Sequence, residues 1–440
     1  MKSPLPKVLH PVAGLPMIYR IITESKKAGA DHVRVVLGHG LALVQQVILP
    51  LQVQTFHQKE QLGTADAVKA AEVNSIEGLV MIVNGDHPLL IAEDFQSLLM
   101  AFEKKNLDLA VVSVNLKYPN QFGRIVRKNG TLQSIVEAKD ASPEALQISE
   151  INTGIYITHG QHLANLLPKI KNENSKKEFY LTDIIGLALE AKLKVDALVS
   201  DNENIAHGVN SQAELAQATQ KAFARKAEKL MTDGVIFINP ATTYIEDTVL
   251  VGPGCVIYPG VFLRGKTAIG PYSVIEPNSF ISDSVIEDGV QIKMGSHLEK
   301  VIVKSKAQVG PYARLRPDTV IGESAKVGNF VEMKKVNFGA GSKASHLTYL
   351  GDAEIGVDVN IGCGTITCNY AADHKKYKTI IKDRVFVGSD SQLVAPVTVH
   401  EDAIIASGST ITKDVPAGAL AIARSRQENK DGLAQKFKKK

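Results

Sequence analysis

The sequence lacks the features that mark several classes of protein. It has no tryptophan and only three cysteines, Cys255, Cys363 and Cys368, among 440 residues. This small, odd number does not build a disulfide framework and suits a reducing compartment, so we expect a cytoplasmic protein. No run of about 18 apolar residues is present, which predicts that the chain has no membrane span. The first residues also lack the apolar stretch of a secretory signal.

The chain also has almost no excess of positive over negative charge. The chain has 50 Lys and Arg against 46 Asp and Glu, a net charge of +4, and four lysines stand among the last five residues. The remainder is close to neutral, which excludes the basic surface of a dedicated nucleic-acid-binding protein.

Two of the three cysteines, Cys363 and Cys368, lie close together in the sequence. They are too few for a metal site, so we interpret them as small packing residues.

The chain is too long for one hydrophobic core, and glycine divides it in two. Of its 34 glycines, 13 lie in residues 1–230 and 21 in 231–440. The first part alternates short apolar runs with amphipathic stretches, which predicts an α/β domain with a largely parallel, Rossmann-like sheet. The predicted strands are 33–37, 79–83, 109–114 and 155–157. The predicted helices are 17–27, 64–72, 92–104 and 181–191.

One long helical pattern follows this domain. Small and apolar residues recur at helical spacing over 211–231, with Ser211 at the N-cap position and Glu214 at the capping-box position. We therefore place an α/β domain at 1–210, a connecting helix at 211–231 and a second domain with a C-terminal tail at 232–440.

The second domain has a period of six. Aliphatic residues recur every six positions, with slips of one, at 245–281, 286–298, 303–333 and 381–411, and glycine often follows the repeat residue. This is the hexapeptide signature of a parallel β-helix, an all-β fold in which three short strands make each coil. We expect the aliphatic residue to point inward and the glycine to supply backbone freedom at the corners.

The chemistry of the repeats is indicated by their polar interruptions. Residues 369–378 break the period and predict a loop on the functional face. Successive coils would place Arg316, Lys334 and His346 within a few strands of each other. Two cations suit a phosphate, and a neutral imidazole suits a general base, so the pattern favours acyl transfer over a purely structural β-helix.

These segments resemble the bifunctional bacterial enzymes of UDP-N-acetylglucosamine synthesis, the N-acetylglucosamine-1-phosphate uridylyltransferase/glucosamine-1-phosphate N-acetyltransferases. The matching segments cover essentially the whole chain in order. They are PKVLH (6–10), EQLGT (60–64), NGD (84–86), FGRI (122–125), EINTG (150–154), GVN (208–210), GSKASHLTYLGD (341–352) and GTITCNY (364–370). The resemblance implies a cytoplasmic homotrimer assembled through a left-handed parallel β-helix, which makes a precursor of peptidoglycan and lipopolysaccharide.

For the β-helix, the resemblance implies acetylation of glucosamine-1-phosphate by acetyl-CoA, with His346 as proton acceptor. The residues that match the sugar-phosphate contacts are Arg316, Lys334, Tyr349 and Asn360. Those that match the acetyl-CoA contacts are Cys363, Asn369, Tyr370, Ser389, Ser407 and Arg424. The family commonly has Ala where Cys363 and Ser407 stand, and residues 371–374 depart from the usual loop pattern.

For the α/β domain, the resemblance implies transfer of UMP from UTP to N-acetylglucosamine-1-phosphate, with Mg²⁺. Asp86 and Asn210 match the metal ligands, and oxygen donors suit this ion. The residues that match the UTP and UDP-N-acetylglucosamine contacts are Lys7, Gln58, Gly63, Thr64, Asn84, Gly85, Asp86, Gly123, Glu137, Asn152 and Asn210.

The family begins with a strand and a glycine-rich loop, and this chain starts where that motif ends. The missing first strand predicts a gap in the Rossmann-like sheet. We favour an upstream start for the working protein, because the downstream uridylyl-site residues are present. The alternative is a monofunctional glucosamine-1-phosphate acetyltransferase with an inactive, truncated N-terminal domain. A third hypothesis is a non-catalytic trimeric scaffold.

Overall fold

The chain folds into two compact units. The computed structural model describes residues 1–117, 121–174 and 176–438. The units are Met1–Ala222 and Phe223–Lys440, and the division between them falls inside the helix Gln212–Thr232. The domain limits at 210 and 232 stay a prediction. The last two lysines of the C-terminal tail, Lys439 and Lys440, lie outside the described residues.

The first unit is built on a six-stranded mixed sheet. The strands of the unit are β1 Pro11–Val12, β2 Leu15–Pro16, β3 Arg34–Leu37, β4 Gln54–His57, β5 Leu79–Ile82, β6 Leu109–Asn115, β7 Arg124–Lys128, β8 Thr131–Val136, β9 Glu150–His159 and β10 Val195–Val199. The order of the strands in the sheet is β10-β6-β9-β7-β8, and β5 also pairs with β9. The prediction of a largely parallel sheet is wrong here. Strand β9 runs antiparallel to β5, β6 and β7, and β10 with β6 is the parallel pair.

One antiparallel pair of this sheet, β7 with β8, follows from a short connection. Strands β7 and β8 are joined by Asn129 and Gly130, both with positive φ, 51° and 80°. A two-residue Asn-Gly connection is typical of an antiparallel hairpin, whereas a parallel pair needs a long crossover. Strands β3 and β4 form a separate parallel pair, and no ladder of the described residues joins it to the six-stranded sheet. The predicted interruption of the sheet is therefore observed.

Helices cover both faces of the six-stranded sheet. The α-helices of the described residues are α1 Met17–Lys27, α2 Leu41–Ile48, α3 Thr64–Ala70, α4 Ala92–Lys104, α5 Gly160–Leu166, α6 Ile184–Glu190 and α7 Gln212–Thr232. Of these, α2 packs instead against the separate pair β3–β4, where Val44 and Ile48 share an apolar cluster with Val35. Val111 of β6 packs in one apolar cluster with Leu163 of α5, and Val112 packs in another with Phe95 of α4. Because successive side chains of a strand point to opposite faces, this buried strand supports two layers of helices, as a Rossmann-like unit requires. None of the described helices is long and apolar enough to cross a bilayer.

The second unit is a parallel β-helix. Each strand pairs with the third strand along the chain, so three strands make one coil, as in the pairings β11–β14, β12–β15 and β13–β16. The strands are β11 Ile236–Phe237, β12 Tyr244–Ile245, β13 Leu250–Val251, β14 Val256–Ile257, β15 Phe262–Arg264, β16 Ala268–Ile269, β17 Val274–Ile275, β18 Phe280–Ser282, β19 Val285–Ile286, β20 Gln291–Ile292, β21 His297–Glu299, β22 Val301–Val303, β23 Gln308–Val309, β24 Arg314–Leu315, β25 Thr319–Ile321, β26 Lys326–Phe338, β27 Lys343–Ile355, β28 Asn360–Ile361, β29 Ile366–Cys368, β30 Thr379–Ile381, β31 Phe386–Val387, β32 Gln392–Val394, β33 Val397–Val399, β34 Ile404–Ile405, β35 Thr410–Ile411 and β36 Leu420–Ala421.

The six-residue period correctly predicts which side chains fill the prism. Every aliphatic repeat residue of the four series is buried in one continuous core, apart from Val251, which is half-buried and packs against it. The predicted loop is confirmed as well, because residues 369–378 lie between β29 and β30. The loop increases the number of residues between ladder partners on adjacent coils, so that Ile355 pairs with Ile381.

The predicted role of the repeat glycines is wrong in most coils. The glycines that follow an inward aliphatic residue include Gly252, Gly270, Gly310, Gly322, Gly328, Gly356, Gly362 and Gly388. Gly310 is the one of these eight with a positive φ. The others are needed for close approach: a Cβ on Gly322 would lie 2.5 Å from the backbone nitrogen of Ala340, and one on Gly328 would overlap the carbonyl oxygen of Ser345. The coils stack so tightly at this position that the next backbone occupies the space of a side chain.

Candidate functional site

A large cleft in the first unit collects most of the predicted nucleotide-site residues. Its volume is about 1380 Å³. The predicted residues that line it are Lys7, Asn84, Gly85, Asp86, Gly123, Glu137, Asn152 and Asn210. Asn84 to Asp86 follow β5 at its carboxyl end, where ligands bind in open α/β sheets.

Lys7, Asp86 and Asn210 meet at one point of this cleft. The Lys7 ammonium lies 2.5 Å from Asp86 Oδ2 and donates to Asn210 Oδ1, also at 2.5 Å. The backbone reinforces the contact, because the Val209 amide donates to the Asp86 carbonyl at 2.9 Å. Two oxygen donors from distant parts of the chain therefore converge on one cationic position.

This donor set fits a magnesium ion. Mg²⁺ is commonly held by one or two protein oxygens, with water and phosphate completing the shell. The Asp86 carboxylate and the Asn210 amide oxygen supply such a pair around a point that now holds a positive charge. Among the described residues there is no group of three or more His, Cys, Asp or Glu suited to a metal.

The start of α7 positions Asn210. The Glu214 carboxylate accepts hydrogen bonds from the backbone amides of Asn210 and Ser211, at 2.6 and 2.8 Å, and the Glu214 amide donates to Ser211 Oγ. The predicted capping box is therefore confirmed, and it also fixes the backbone of a cleft residue. Burial raises the pKa of Glu214, but these hydrogen bonds outweigh it and the net pKa is lowered.

A second part of the cleft is shaped by the segment around Asn152. The Asn152 side chain accepts from the Gly154 amide at 2.8 Å and donates to the Tyr156 hydroxyl at 3.1 Å. Burial raises the pKa of Tyr156, which keeps this phenol neutral. Gly154 has a φ of +78° and leaves space for the Asn84 amide, because a Cβ there would lie 2.6 Å from Asn84 Nδ2.

Glu137 is the half-buried carboxylate of the cleft. Burial, with a smaller contribution from Asp140, raises its pKa. A Cβ on Gly123 would lie 3.5 Å from Glu137 Oε1, so this glycine forms the floor beside the carboxylate. A carboxylate that is only partly solvated is suited to accept hydrogen bonds from hydroxyl groups of a sugar.

Three predicted nucleotide residues do not line this cleft. Gln58, Gly63 and Thr64 form a separate cluster, in which Gln58 Nε2 donates to the Gly63 carbonyl at 3.2 Å. Thr64 opens α3, and its hydroxyl accepts from the Leu181 amide at 2.9 Å. Gly63 has a φ of +124° and lies against the backbone of Phe179.

The structure adds cleft residues that the sequence did not reveal. They are His87, His207, Gln217 and Lys221, of which the last two extend from α7. His87 is buried and its Nδ1 lies 3.0 Å from the Ile205 carbonyl, and burial lowers its pKa. The helical spacing of Glu214, Gln217 and Lys221 was the available signal, since these residues share one face of a helix.

In the β-helix, five polar positions form one column. Asn329 and His346 are direct ladder partners in β26 and β27. On the next coil, Ala344 pairs with Ile361 and Tyr349 pairs with Ile366. Both pairs have the same separation along the sequence as His346 and Cys363, which lie between them, so His346 is aligned with Cys363. Backbone hydrogen bonds continue the column, since the Asp390 amide donates to the Cys363 carbonyl at 2.7 Å and the Gly408 amide to the Ser389 carbonyl at 2.8 Å. The column is Asn329, His346, Cys363, Ser389 and Ser407.

The column brings the predicted proton acceptor and the predicted acetyl-CoA residues together. His346, Cys363, Ser389 and Ser407 are all exposed. The Arg424 side chain lies next to the last of them, since a Cβ on Gly408 would be 3.8 Å from Arg424 Cδ.

Two of the predicted sugar-phosphate residues, Arg316 and Lys334, belong to a cationic patch beside this column. Arg316 Nη1 donates to Glu332 Oε1 at 2.9 Å, and Glu332 is the ladder partner of Tyr349. Lys376, which the sequence did not single out, and Arg316 lower the pKa of the exposed Lys334 ammonium by repulsion. Lys334 with two cations near it is suited to bind a phosphate group.

Three further predicted residues lie elsewhere on the β-helix. Asn360 pairs with Lys343 on the neighbouring face. Asn369 is buried and donates to Asp352 Oδ2 at 2.5 Å, so this side chain stabilises the base of the loop. Tyr370 is exposed, and its hydroxyl lies 2.8 Å from His374 Nδ1 within the loop.

Comparison with known families agrees with this two-unit arrangement. A model described as "Nucleotidyl transferase" matches residues 2–206. A model described as "Bacterial transferase hexapeptide (six repeats)" matches residues 378–413, and one described as "GMPPB C-terminal domain" matches residues 239–338.

Full-length relatives are also similar to the chain. The "Bifunctional protein GlmU" of Bdellovibrio bacteriovorus is 60% identical over 436 residues, which cover 99% of this chain and 95% of the relative. The protein of the same name from Trichlorobacter lovleyi is 46% identical over 440 residues, with 99% and 95% coverage. A solved structure, apo-UDP-glucose pyrophosphorylase, is 14% identical with a TM-score of 0.41, and covers 50% of this chain and 92% of that one.

Proposed function

The chain belongs to the bifunctional GlmU family, and from this premise we propose that its β-helix carries an acetyl-transfer site at His346 and its first unit a uridylyl-transfer site at Asp86. The chain acetylates glucosamine-1-phosphate with acetyl-CoA. It also transfers UMP from UTP to N-acetylglucosamine-1-phosphate, which gives UDP-N-acetylglucosamine and pyrophosphate. The observation that carries the site assignment is the column, in which His346 and three of the predicted acetyl-CoA residues occupy equivalent positions of successive coils.

In acetyl transfer, the amine of the sugar attacks the thioester carbonyl. A C–N bond forms and the C–S bond breaks, and the attacking nitrogen must lose a proton. The exposed imidazole of His346 accepts this proton and returns it to the departing CoA sulfur. The cationic patch of Arg316 and Lys334 binds the 1-phosphate, which holds the amine near the column.

In uridylyl transfer, a phosphate oxygen of N-acetylglucosamine-1-phosphate attacks the α-phosphorus of UTP and pyrophosphate leaves. Lys7 brings a positive charge to the cleft where phosphates would lie. Glu137 and Asn152 present acceptor and amide groups to the sugar. Both reactants carry negative charge, so placed cations are the main requirement of such a site.

Asp86 and Asn210 would hold Mg²⁺ in this cleft. When bound, the ion would offset the negative charge of the phosphate groups. Lys7 already lies between the two oxygens, so we expect its ammonium to move to phosphate when the ion is present.

We further propose a homotrimer that assembles through the β-helix in the cytoplasm. One face carries an apolar column of ladder partners, the exposed Leu250, Val285 and Ile302 with the half-buried Ala268 between them, which a second copy would cover. The free cysteines suit a reducing compartment.

Separate assays of the two reactions test this proposal. We expect the purified 440-residue chain to release CoA thiol from acetyl-CoA only with glucosamine-1-phosphate. We expect it to release pyrophosphate from UTP and N-acetylglucosamine-1-phosphate only with Mg²⁺. Thiol release without pyrophosphate release would support the monofunctional acetyltransferase instead. Loss of both would leave the non-catalytic scaffold.

A further inference from the structure

We propose that Asn329 is a positioning residue for acetyl transfer, which holds the His346 imidazole in the tautomer whose Nε2 is free to accept a proton. The inference rests on the proposed role of His346. The two residues are direct partners in the ladder of β26 and β27, each a strand of 13 residues. Their register is therefore fixed by many ladder contacts on both sides.

The hydrogen bond between the two side chains sets the tautomer. His346 Nδ1 lies 3.1 Å from Asn329 Oδ1, and within the described ranges this amide oxygen is the hydrogen-bond partner of the ring. An amide oxygen accepts and cannot donate, so Nδ1 carries the proton. A neutral imidazole has one N–H group, which leaves the lone pair on Nε2.

His346 depends on this contact because its surroundings do not restrain the ring. The side chain is exposed, and the next residues on the two strands, Phe330 and Leu347, are 57% and 61% exposed. The Thr348 hydroxyl donates to the His346 carbonyl at 2.8 Å and so steadies the backbone, but not the ring. One hydrogen bond therefore restrains both the rotation of the imidazole and its choice of proton position.

The neutral partner also suits a base that must start unprotonated. The positions aligned with His346 on the two adjacent coils are Asn329, which is neutral, and Cys363, which is a thiol. A carboxylate in place of the amide would orient the ring equally well, but it would stabilise the imidazolium. An amide orients the imidazole without this cost.

Two variants of Asn329 test the inference. In Asn329→Ala the ring loses its restraint, and we expect kcat of acetyl transfer to fall about 10- to 100-fold with little change in KM. In Asn329→Asp the acceptor remains but carries charge, so the acid limb of the kcat profile moves up by about one pH unit. At high pH this variant approaches the wild-type kcat. Thermal unfolding of both variants, followed by circular dichroism, is the control for folding of the β-helix.

The two proposals fail in different ways. If His346→Ala keeps acetyl transfer, the proposed function is wrong whatever Asn329 does. If His346→Ala is inactive while Asn329→Asp keeps the wild-type pH profile, the positioning role is overturned and the proposed function stands. If Asn329→Ala folds poorly, the pH profile of Asn329→Asp alone tests the positioning role.

The double variant gives an independent readout. If Asn329 acts through the imidazole, His346→Ala with Asn329→Ala has the same residual rate as His346→Ala alone. A further fall as large as that of the single Asn329→Ala variant would show an effect independent of the ring, and would contradict the inference.

Discussion

The two units build their sites in opposite ways. In the first unit, loops far apart in sequence bring Lys7, Asp86 and Asn210 together in a cleft of about 1380 Å³. In the β-helix, one position of a repeated coil supplies residues such as His346 and Cys363, and they lie on an exposed surface. The cleft depends on the shape of each loop, whereas the column depends on register alone. The structural effect of a substitution should therefore stay local in the first unit and extend to neighbouring coils in the second.

Charge is also arranged differently in the two regions. In the cleft, the Lys7 ammonium is paired with a carboxylate. On the β-helix, Arg316 is paired with Glu332, while Lys376 and Arg316 lower the pKa of Lys334 by repulsion. The cation of the cleft is thus paired before a ligand arrives, whereas Lys334 faces other cations whose charge a sugar phosphate would neutralise.

The largest expected effect separates the two regions by activity. Because the amine cannot shed its proton without a base, we expect His346→Ala to lower kcat of acetyl transfer by about 10²–10⁴-fold. Uridylyl transfer by the same preparation should be unchanged, and sedimentation should show an unchanged oligomer. Acetyl transfer at the wild-type rate would remove His346 from the mechanism.

The reciprocal change should be nearly as large. Asp86→Ala removes one of the two oxygens proposed to hold Mg²⁺, so we expect uridylyl transfer to fall by about 10²-fold or more at fixed Mg²⁺. The measurement is pyrophosphate release, titrated with Mg²⁺. Acetyl transfer is the internal control. An unchanged Mg²⁺ dependence would contradict the assignment of this carboxylate.

A pair of glycine substitutions compares the tolerance of the two folds. Gly328→Ala places a methyl group into the Ser345 carbonyl of the next coil, and we expect a destabilisation of about 1–3 kcal/mol with loss of acetyl transfer. Gly186→Ala in α6 meets no atom within 4 Å and should stabilise by about 0.5–1 kcal/mol. Thermal unfolding followed by circular dichroism measures both. Similar stabilities for the two variants would show that the coils can relax.

The sequence predicted the β-helix better than the first unit. A strict period of six identifies the inward side chain of each strand, because every coil repeats the same geometry. The same regularity could not reveal the role of the glycines, since the close approach of Gly322 to Ala340 involves the next coil. Asn329 was missed for this reason too: its partner is 17 residues away in sequence and adjacent only after coiling.

In the first unit, the sequence located most cleft residues but not the sheet around them. Short apolar runs do not show strand direction, and the Asn129-Gly130 pair is the one local signal of the hairpin between β7 and β8. Gln58 and Thr64 were grouped with the cleft because they belong to the same matched family, while the structure places them in a cluster of their own. Helix α7 was predicted as a connector, and its Lys221 also lines the cleft.

The smallest expected effect concerns Glu137, the half-buried carboxylate of the cleft. Burial raises the pKa of Glu137 in the folded state, so its charged form destabilises the fold above that pKa. We expect Glu137→Gln to raise the unfolding midpoint at pH 7 by at most a few degrees. The gain should vanish near pH 4, where the carboxyl is protonated in both states. A gain that is independent of pH would show that ionisation of Glu137 is not its cause.

The most direct test of two separate sites on one chain is a mixing experiment. Glucosamine-1-phosphate, acetyl-CoA, UTP and Mg²⁺ are supplied together, and formation of UDP-N-acetylglucosamine is measured. His346→Ala and Asp86→Ala should each give almost no product alone. Mixed in equal amounts, they should restore product formation to about half the wild-type rate at the same total protein, because the acetylated sugar phosphate diffuses from one variant to the other. No recovery on mixing, with each variant folded, would contradict the division of the two reactions between the two units.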